Sequence, residues 1–183
     1  QAQADKLVLR SPAFVDVNAA YVAEMARRAV VERLGDKAYT EGIRVVTSLR
    51  AEDQRAAHAA LRRAVLAYER RQPWRGPEEQ NPLPEGEAEA DRAASLVLRE
   101  VRDDEDLRAA VVLAASPREV TAKLASGETV VVKAEALKWV QSALSPKASD
   151  ALAIRRGSVL RLQSVQKGKA VEWTISQWPE SAA

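Results

Sequence analysis

The sequence predicts an α+β protein in which an N-terminal helical linker with a strand-helix unit is followed by a small antiparallel β-barrel. Apolar residues recur at helical spacing in the first part of the chain and alternate with polar residues in the last part. A segment rich in proline and acids separates the two patterns. The 183 residues are 46% hydrophobic and 30% charged, which is typical of a folded globular protein of one or two domains.

The helical part is predicted to contain two helices with one strand between them. Asn18 is a suitable N-cap for a first helix, and Gly35 ends that helix just after its last turn. The short, β-branched segment 43–49 predicts a strand. Helical spacing then resumes over 51–71, so a second helix follows the strand.

The second predicted helix carries arginines on its exposed face, and Arg62 and Arg63 are taken from it as candidates for a partner-binding surface. A row of charges on a helix is more often solvated than covered by a partner, so solvation stays the preferred interpretation. The full set on this face is Arg55, Arg62, Arg63, Arg70 and Arg71.

Residues 78–90 are predicted to form a connector, because the prolines of this region end the helix and its acids leave little to bury. Beyond the connector, the alternation seen at Val120, Ala122 and Leu124 predicts half-buried strands. Turn sequences such as Ser126-Gly127 separate these strands. The predicted strands lie at 94–102, 107–115, 119–124, 128–133, 158–166 and 171–176.

A short helix is predicted over 135–144, between the fourth and fifth strands. A five-stranded Greek-key OB barrel has its helix at this place, so an OB-like β-barrel is the favoured architecture for residues 91–179. An open antiparallel sheet with a helix on one face fits the same pattern and stays an alternative.

The sequence offers no catalytic constellation, and no cofactor or metal site is predicted. His58 is the only histidine and there is no cysteine, which leaves neither a two-histidine metal pair nor a thiol nucleophile. Ser164 and Lys167 match an S-x-x-K pattern, but the extended chain predicted there separates the two side chains. Glu52 and Asp53 are interpreted as acids at a helix N-terminus.

The tryptophans of the last part of the chain are the remaining candidates for binding. Trp173 alternates with core positions, so it is predicted to pack inside. Trp139 and Trp178 are candidates for a partner surface, because tryptophan is enriched at binding hot spots. A core or lid position in a small barrel is the alternative for each of them.

Three stretches of the chain are fairly specific as a set. Residues 21–25 read Tyr-Val-Ala-Glu-Met, residues 38–49 read Ala-Tyr-Thr-Glu-Gly-Ile-Arg-Val-Val-Thr-Ser-Leu, and Tyr-Glu-Arg-Arg at 68–71 leads into Trp-Arg-Gly-Pro at 74–77. In this order they resemble the middle of a class A bifunctional penicillin-binding protein of the 1A type from Gram-negative bacteria. The sequence Gln-Trp-Pro at 177–179 resembles the point where such a chain re-enters its transpeptidase domain.

The resemblance implies a division into four segments. Residues 1–77 would be a linker with the start of a transpeptidase-like region, 78–90 a connector, 91–179 an inserted OB-like domain and 180–183 a cut end. The glycosyltransferase and transpeptidase catalytic motifs would lie outside the chain, so the chain itself is expected not to be an enzyme.

The resemblance also implies a function and a place. The parent protein would polymerise and cross-link peptidoglycan, in the periplasm and tethered to the inner membrane. The inserted domain would be a regulatory region that docks an outer-membrane lipoprotein or another periplasmic activator and lies between the neighbouring catalytic domains. Self-association through apolar faces of 43–72 is a further expectation.

Two other functions are alternatives to docking. The sequence does not distinguish the first from docking, and it fits the second less well. A structural spacer that holds the catalytic domains apart would have the same pattern. A nucleic-acid-binding OB protein would need strands that are basic and lined with aromatics. Residues 1–77 carry a net charge of +5 and residues 78–183 a net charge of −3, which opposes binding of a nucleic acid by the barrel.

Overall fold

The computed structural model describes residues 18–168 and 170–180, so the predictions for 1–17 and for residues 181–183 of the cut end 180–183 lie outside it. Its contacts divide the chain into two compact units, Gln1–Arg63 and Ala64–Ala183. The helices are α1 (Ala20–Leu34), α2 (Lys37–Thr40), α3 (Ala51–Glu69), α4 (Glu87–Glu100), α5 (Ala134–Leu137) and the 3₁₀ helix η1 (Lys138–Leu144). The strands are β1 (Glu79–Gln80), β2 (Arg108–Ala115), β3 (Glu119–Leu124), β4 (Thr129–Lys133), β5 (Ser158–Lys167) and β6 (Ala170–Ser176).

The first unit contains both helices predicted from the sequence. α1 ends at Leu34, and Gly35 after it has a φ of 59° and a ψ of −138°, a backbone conformation that is open to glycine and rarely to other residues. The N-cap prediction is wrong by one residue: Ala19 occupies the cap, and the Asn18 side chain instead lies 3.2 Å from the His58 ring. Glu52 and Asp53 lie in the first turn of α3, as predicted.

The strand predicted at 43–49 is wrong, since the structure has no regular secondary structure there. A strand is stable only when its backbone groups pair with a neighbour. Among the described residues of the first unit no other strand is available, and Val46 is 82% exposed. The β-branched composition of this segment was therefore insufficient without a partner strand.

The second unit is built on a six-stranded antiparallel sheet with the order β1-β5-β2-β3-β4. β5 is its longest strand: its start pairs with β1, the rest pairs with β6, and β2 lies on its other side. The α+β prediction is confirmed. No ladder joins β4 to β6 among the described residues, so the sheet is not closed.

Helical segments cover both faces of this sheet. On one face, η1 buries Val140 and Leu144 in the main cluster with strand residues such as Leu160. On the other face, α4 packs Ala94 and Leu98 against the central strands. β2 contributes to both clusters, which explains why its sequence is a nearly continuous apolar run instead of an alternating one.

The strand predicted at 94–102 is wrong, because this region belongs to α4. Ala90, Ala94 and Leu98 are its buried residues, and their spacing of four places them on one side of a helix. Glu87 and Glu89 lie in the first turn of α4, where acidic side chains stabilise the N-terminus of a helix. The short apolar run 96–98 is compatible with either structure, and the helical spacing becomes visible only when the acid-rich residues before it are included.

The segment predicted as the connector, 78–90, supplies β1 and the start of α4 to the second unit. The division between the two compact units falls within the sequence of α3, between Arg63 and Ala64. Residues 64–77 therefore group with the sheet by their contacts, while the proposed functional division at 77 and 90 stays a prediction.

Candidate partner-binding surface

The two chain segments that flank the sheet domain, 69–78 and 176–180, are held together by a network of polar side chains, here called the junction. Glu69 is 1% exposed at the end of α3, one turn after buried Leu66. Its carboxylate accepts hydrogen bonds from Arg75 Nη1 at 2.9 Å and Gln177 Nε2 at 3.3 Å. Arg75 also donates from Nη2 to the Trp178 carbonyl oxygen at 2.5 Å. The entering and leaving segments are thus fixed side by side.

Trp178 is the exposed aromatic of the junction. It is 49% exposed, and the Arg161 guanidinium carbon lies 4.7 Å from its ring centroid, so one side of the ring makes a cation–π contact. Arg161 is held in turn by both carboxylate oxygens of Glu78, at 2.7 and 2.9 Å. Arg161 therefore holds the Trp178 ring in place, beside a depression of about 260 Å³.

Trp139 lies in η1 and is only partly buried. Its ring meets Trp74 edge-to-face, with centroids 5.6 Å apart and an interplanar angle of 82°. Both indole N–H groups are used inside the domain: Trp139 donates to the Gln72 carbonyl oxygen at 3.0 Å, and Trp74 donates to the Leu152 carbonyl oxygen at 2.9 Å. The two rings offer only apolar surface outward.

A depression of about 470 Å³ lies beside these rings, and we call it the Arg–Trp groove. Arg70 contacts the Thr174 hydroxyl, and Arg71 lies over the Tyr68 ring at 5.8 Å. Among the described residues, neither guanidinium has a carboxylate within 4.0 Å, and partial burial lowers the pKa of Arg70. The groove is lined by Arg70, Arg71, Gln72, Pro73, Trp74, Trp139, Ser142 and Leu152.

The four residues predicted for a partner surface are divided between the two units. Trp139 and Trp178 both belong to the second unit, in two depressions that share Trp74. Arg62 and Arg63 lie on α3 in the first unit, where Arg62 is half-buried and Arg63 is exposed. Their part in a partner surface stays a prediction.

No binding role was predicted for Trp74, and Arg70 and Arg71 were not among the arginines selected for the partner surface. Arg70 and Arg71 were grouped with the solvated arginines of the helix, although α3 ends at Glu69 and both lie in the turn after it. The proline two residues after Arg71 was the available signal, because a proline marks the end of a helix.

The S-x-x-K sequence lies on a strand and not at the start of a helix. Ser164 and Lys167 both lie in β5, so the strand assignment is confirmed; three residues apart, they point to opposite faces. Within 18–168 and 170–180, no group of three or more histidine, aspartate and glutamate side chains is placed to hold a metal ion. None of the helices described is sufficiently long and apolar to span a bilayer.

The sheet domain and its junction define the class of protein. The family model for the penicillin-binding protein OB-like domain matches residues 74–181, and the chain belongs to this family. The match runs from Trp74 to just beyond the junction. The Arg–Trp groove therefore lies at the edge of the family domain, with Arg70 and Arg71 just before it.

The particular relatives are penicillin-binding proteins 1A. The chain is 32% identical over 166 residues to that of Neisseria cinerea, covering 90% of this chain and 20% of the relative. It is 34% identical over 165 residues to that of Neisseria flavescens, with the same coverage. The chain thus spans about a fifth of the length of these curated relatives.

A solved structure agrees with this relationship. The crystal structure of penicillin-binding protein 1A from Haemophilus influenzae matches with a TM-score of 0.64 and 27% identity. The match covers 97% of this chain and 25% of that one. Both the segment before the OB-like domain and the domain itself therefore have a counterpart in that protein.

Proposed function

We propose that this chain is a regulatory docking region of a peptidoglycan synthase and that its OB-like domain binds an envelope activator protein. The observation that supports this best is the supported, half-exposed Trp178 at the junction. A rigid aromatic side chain with few rotamers to restrict is a favourable anchor for a protein partner. A partner on Trp178 would contact the segment by which the chain leaves the domain.

The parent protein proposed here carries glycosyltransferase and transpeptidase domains that flank this region in the periplasm, with a tether to the inner membrane. The proposal rests on the relatives, which are penicillin-binding proteins 1A and about five times as long as the chain. An outer-membrane lipoprotein, or another periplasmic activator, is the proposed partner. No cofactor is required for this role.

A structural spacer is the second candidate function, and the junction is the observation that favours it. Glu69, Arg75 and Gln177 tie the entering and leaving segments together without needing a partner. A spacer of this kind would set a fixed distance between the flanking catalytic domains.

A pull-down of envelope proteins with the full chain separates the two functions. We expect retention of an envelope protein, and we expect Trp178→Ala to weaken it about tenfold or more, the scale of a hot-spot aromatic. Trp139→Ala is the second variant. Leu96→Ala is the control, because Leu96 is an exposed apolar residue of α4 that lines neither of the depressions beside Trp139 and Trp178.

Retention of no protein by a chain with native circular dichroism would support the spacer. Equal retention by the Trp178→Ala and Leu96→Ala variants would keep docking but remove Trp178 from the surface.

A further inference from the structure

The Arg–Trp groove contains two cations without acidic partners beside apolar rings. Among the described residues, Arg70 and Arg71 are not paired with a carboxylate, whereas the nearby Arg75 and Arg161 are. The Arg71 guanidinium is also restrained by its contact with Tyr68. Two positioned guanidinium groups are a binding site for carboxylates, because each can donate two parallel hydrogen bonds.

The apolar surface of the groove favours a peptide over a sugar. A sugar is recognised by a flat aromatic ring together with free hydrogen-bond donors and acceptors. Here Trp74 and Trp139 meet edge-to-face, and both of their N–H groups are already bound to carbonyl oxygens. What remains is a pocket for an aliphatic or aromatic side chain, next to the two arginines.

The groove continues past Leu152 into a second depression of about 360 Å³. Ser142 and Leu152 line both depressions, and Lys147 lines the second one. Lys147 is exposed and has no carboxylate within 4.0 Å among the described residues. The combined surface therefore has arginines at one end, a lysine towards the other end and Leu152 between them.

We propose that the Arg–Trp groove binds an acidic peptide segment of the partner protein, with carboxylates on Arg70 and Arg71 and an apolar side chain against Trp74 and Trp139. This inference rests on the proposed docking function and names the chemistry of the partner. An extended segment advances about 3.3 Å per residue, so alternate acidic and apolar side chains suit such a surface.

Charge complementarity predicts how this binding behaves. The carboxylates would replace water on two guanidinium groups, and partial burial already lowers the pKa of Arg70. Because the contact is exposed at its rim, added salt would weaken it and slow association.

The test uses the full chain and a short synthetic peptide in which glutamates alternate with leucines, labelled with fluorescein. Binding is followed by fluorescence anisotropy at ~0.05 M and ~0.3 M NaCl. A peptide with glutamine in place of glutamate is the matched probe. The test variant is Arg70→Ala/Arg71→Ala, and the matched control is Arg92→Ala/Arg99→Ala, which removes the same charge from exposed positions of α4.

We expect the glutamate peptide to bind about tenfold or more tightly than the glutamine peptide, and Arg70→Ala/Arg71→Ala to remove about that factor. The control pair would change binding less than about twofold. Equal binding of the two peptides, or equal losses in both variants, would overturn the proposal.

A soluble disaccharide-peptide fragment of peptidoglycan is the competing probe. Binding of this fragment that depends on Arg70 and Arg71, without binding of the glutamate peptide, would assign the groove to a glycan and would also overturn the proposal. The pull-down tests the docking function separately from the groove. If the Arg70→Ala/Arg71→Ala variant retains the envelope protein as well as the unchanged chain does, the docking function stands and this groove is excluded as its site.

Discussion

Glu69 is a carboxylate in a core position, and Arg75 forms an ion pair with it at 2.9 Å. Arg75→Ala would remove this ion pair from the buried carboxylate, so we expect the free energy of unfolding to fall by about 3 kcal/mol. Arg108→Ala breaks the exposed pair with Asp103 and should cost less than about 1 kcal/mol. Urea unfolding of both variants measures the difference.

A second substitution separates the ion pair from simple loss of packing. Glu69→Gln in the Arg75→Ala background removes the buried charge that has lost its contact with Arg75, so the double variant should be more stable than Arg75→Ala alone. A double variant as unstable as Arg75→Ala would mean that the Arg75 side chain acts by filling space.

Glu24 provides a prediction that depends on pH. Hydrogen bonds from Arg27 and Arg28 lower the pKa of this carboxyl from 4.5 to about 2. The ionised form is therefore favoured in the folded state. The stabilisation of α1 by the contacts of Glu24 with Arg27 and Arg28 is present above pH 4.5 and is lost as pH falls towards about 2. An NMR titration of the Glu24 carboxyl carbon measures the pKa. Arg27→Ala/Arg28→Ala should return it towards 4.5, and an unchanged pKa in that variant would contradict the assigned cause.

At the scale of elements, α4 makes a prediction that distinguishes it from a strand. Leu96 and Leu98 would share one face of a strand, whereas in α4 Leu98 is buried and Leu96 is 59% exposed. Leu98→Ala should therefore cost about 2 to 4 kcal/mol of unfolding free energy, and Leu96→Ala about 0.5 kcal/mol or less. Thermal or urea unfolding tests this, and similar losses at both positions would favour a strand.

The turn before β5 depends on one glycine. Gly157 and Gly127 have nearly the same positive φ, 89° and 88°, but a Cβ at Gly157 would lie 1.9 Å from the Asn81 carbonyl oxygen, whereas at Gly127 it would meet nothing within 4 Å. Alanine is strained by this positive φ to about the same degree at either position. We expect Gly157→Ala to cost at least about 1 kcal/mol more than Gly127→Ala in urea unfolding, and equal costs would contradict the close approach.

The elements that the sequence predicted correctly are those with a local signal. β3, β4, β5 and β6 alternate or end at recognisable turns, and the helix 135–144 appears as α5 and η1. The failures depended on information from elsewhere in the chain. Segment 43–49 needed a strand partner, and α4 needed the burial of Ala90, Ala94 and Leu98 against the sheet to show its period.

At the scale of the whole molecule, the candidate site was predictable only in part. Trp139 and Trp178 could be selected because tryptophan is rare and favours interfaces. The groove could not, because Arg70 and Trp139 are far apart in sequence and meet only after the sheet has formed. The same holds for Glu69 and Gln177 in the junction.

The two compact units should differ sharply in stability. None of the described residues 18–63 is buried, whereas the second unit contains both buried clusters. Helices of this length have little stability without tertiary burial. Hydrogen-exchange mass spectrometry should therefore show weak protection of α1 and strong protection of β2, β3 and β5.

Hydrogen exchange measured at several protein concentrations also tests self-association. If copies of the chain cover the exposed apolar side chains of the first unit, protection of α1 and the first part of α3 should rise with concentration. Protection of β2 and β5 should stay constant, since they are already buried, and they serve as the internal control. Tyr21→Ser/Met25→Ser removes exposed apolar groups of α1 and should abolish the rise. Protection of α1 that is weak and independent of concentration would show that the chain stays monomeric, with this face available to a different partner.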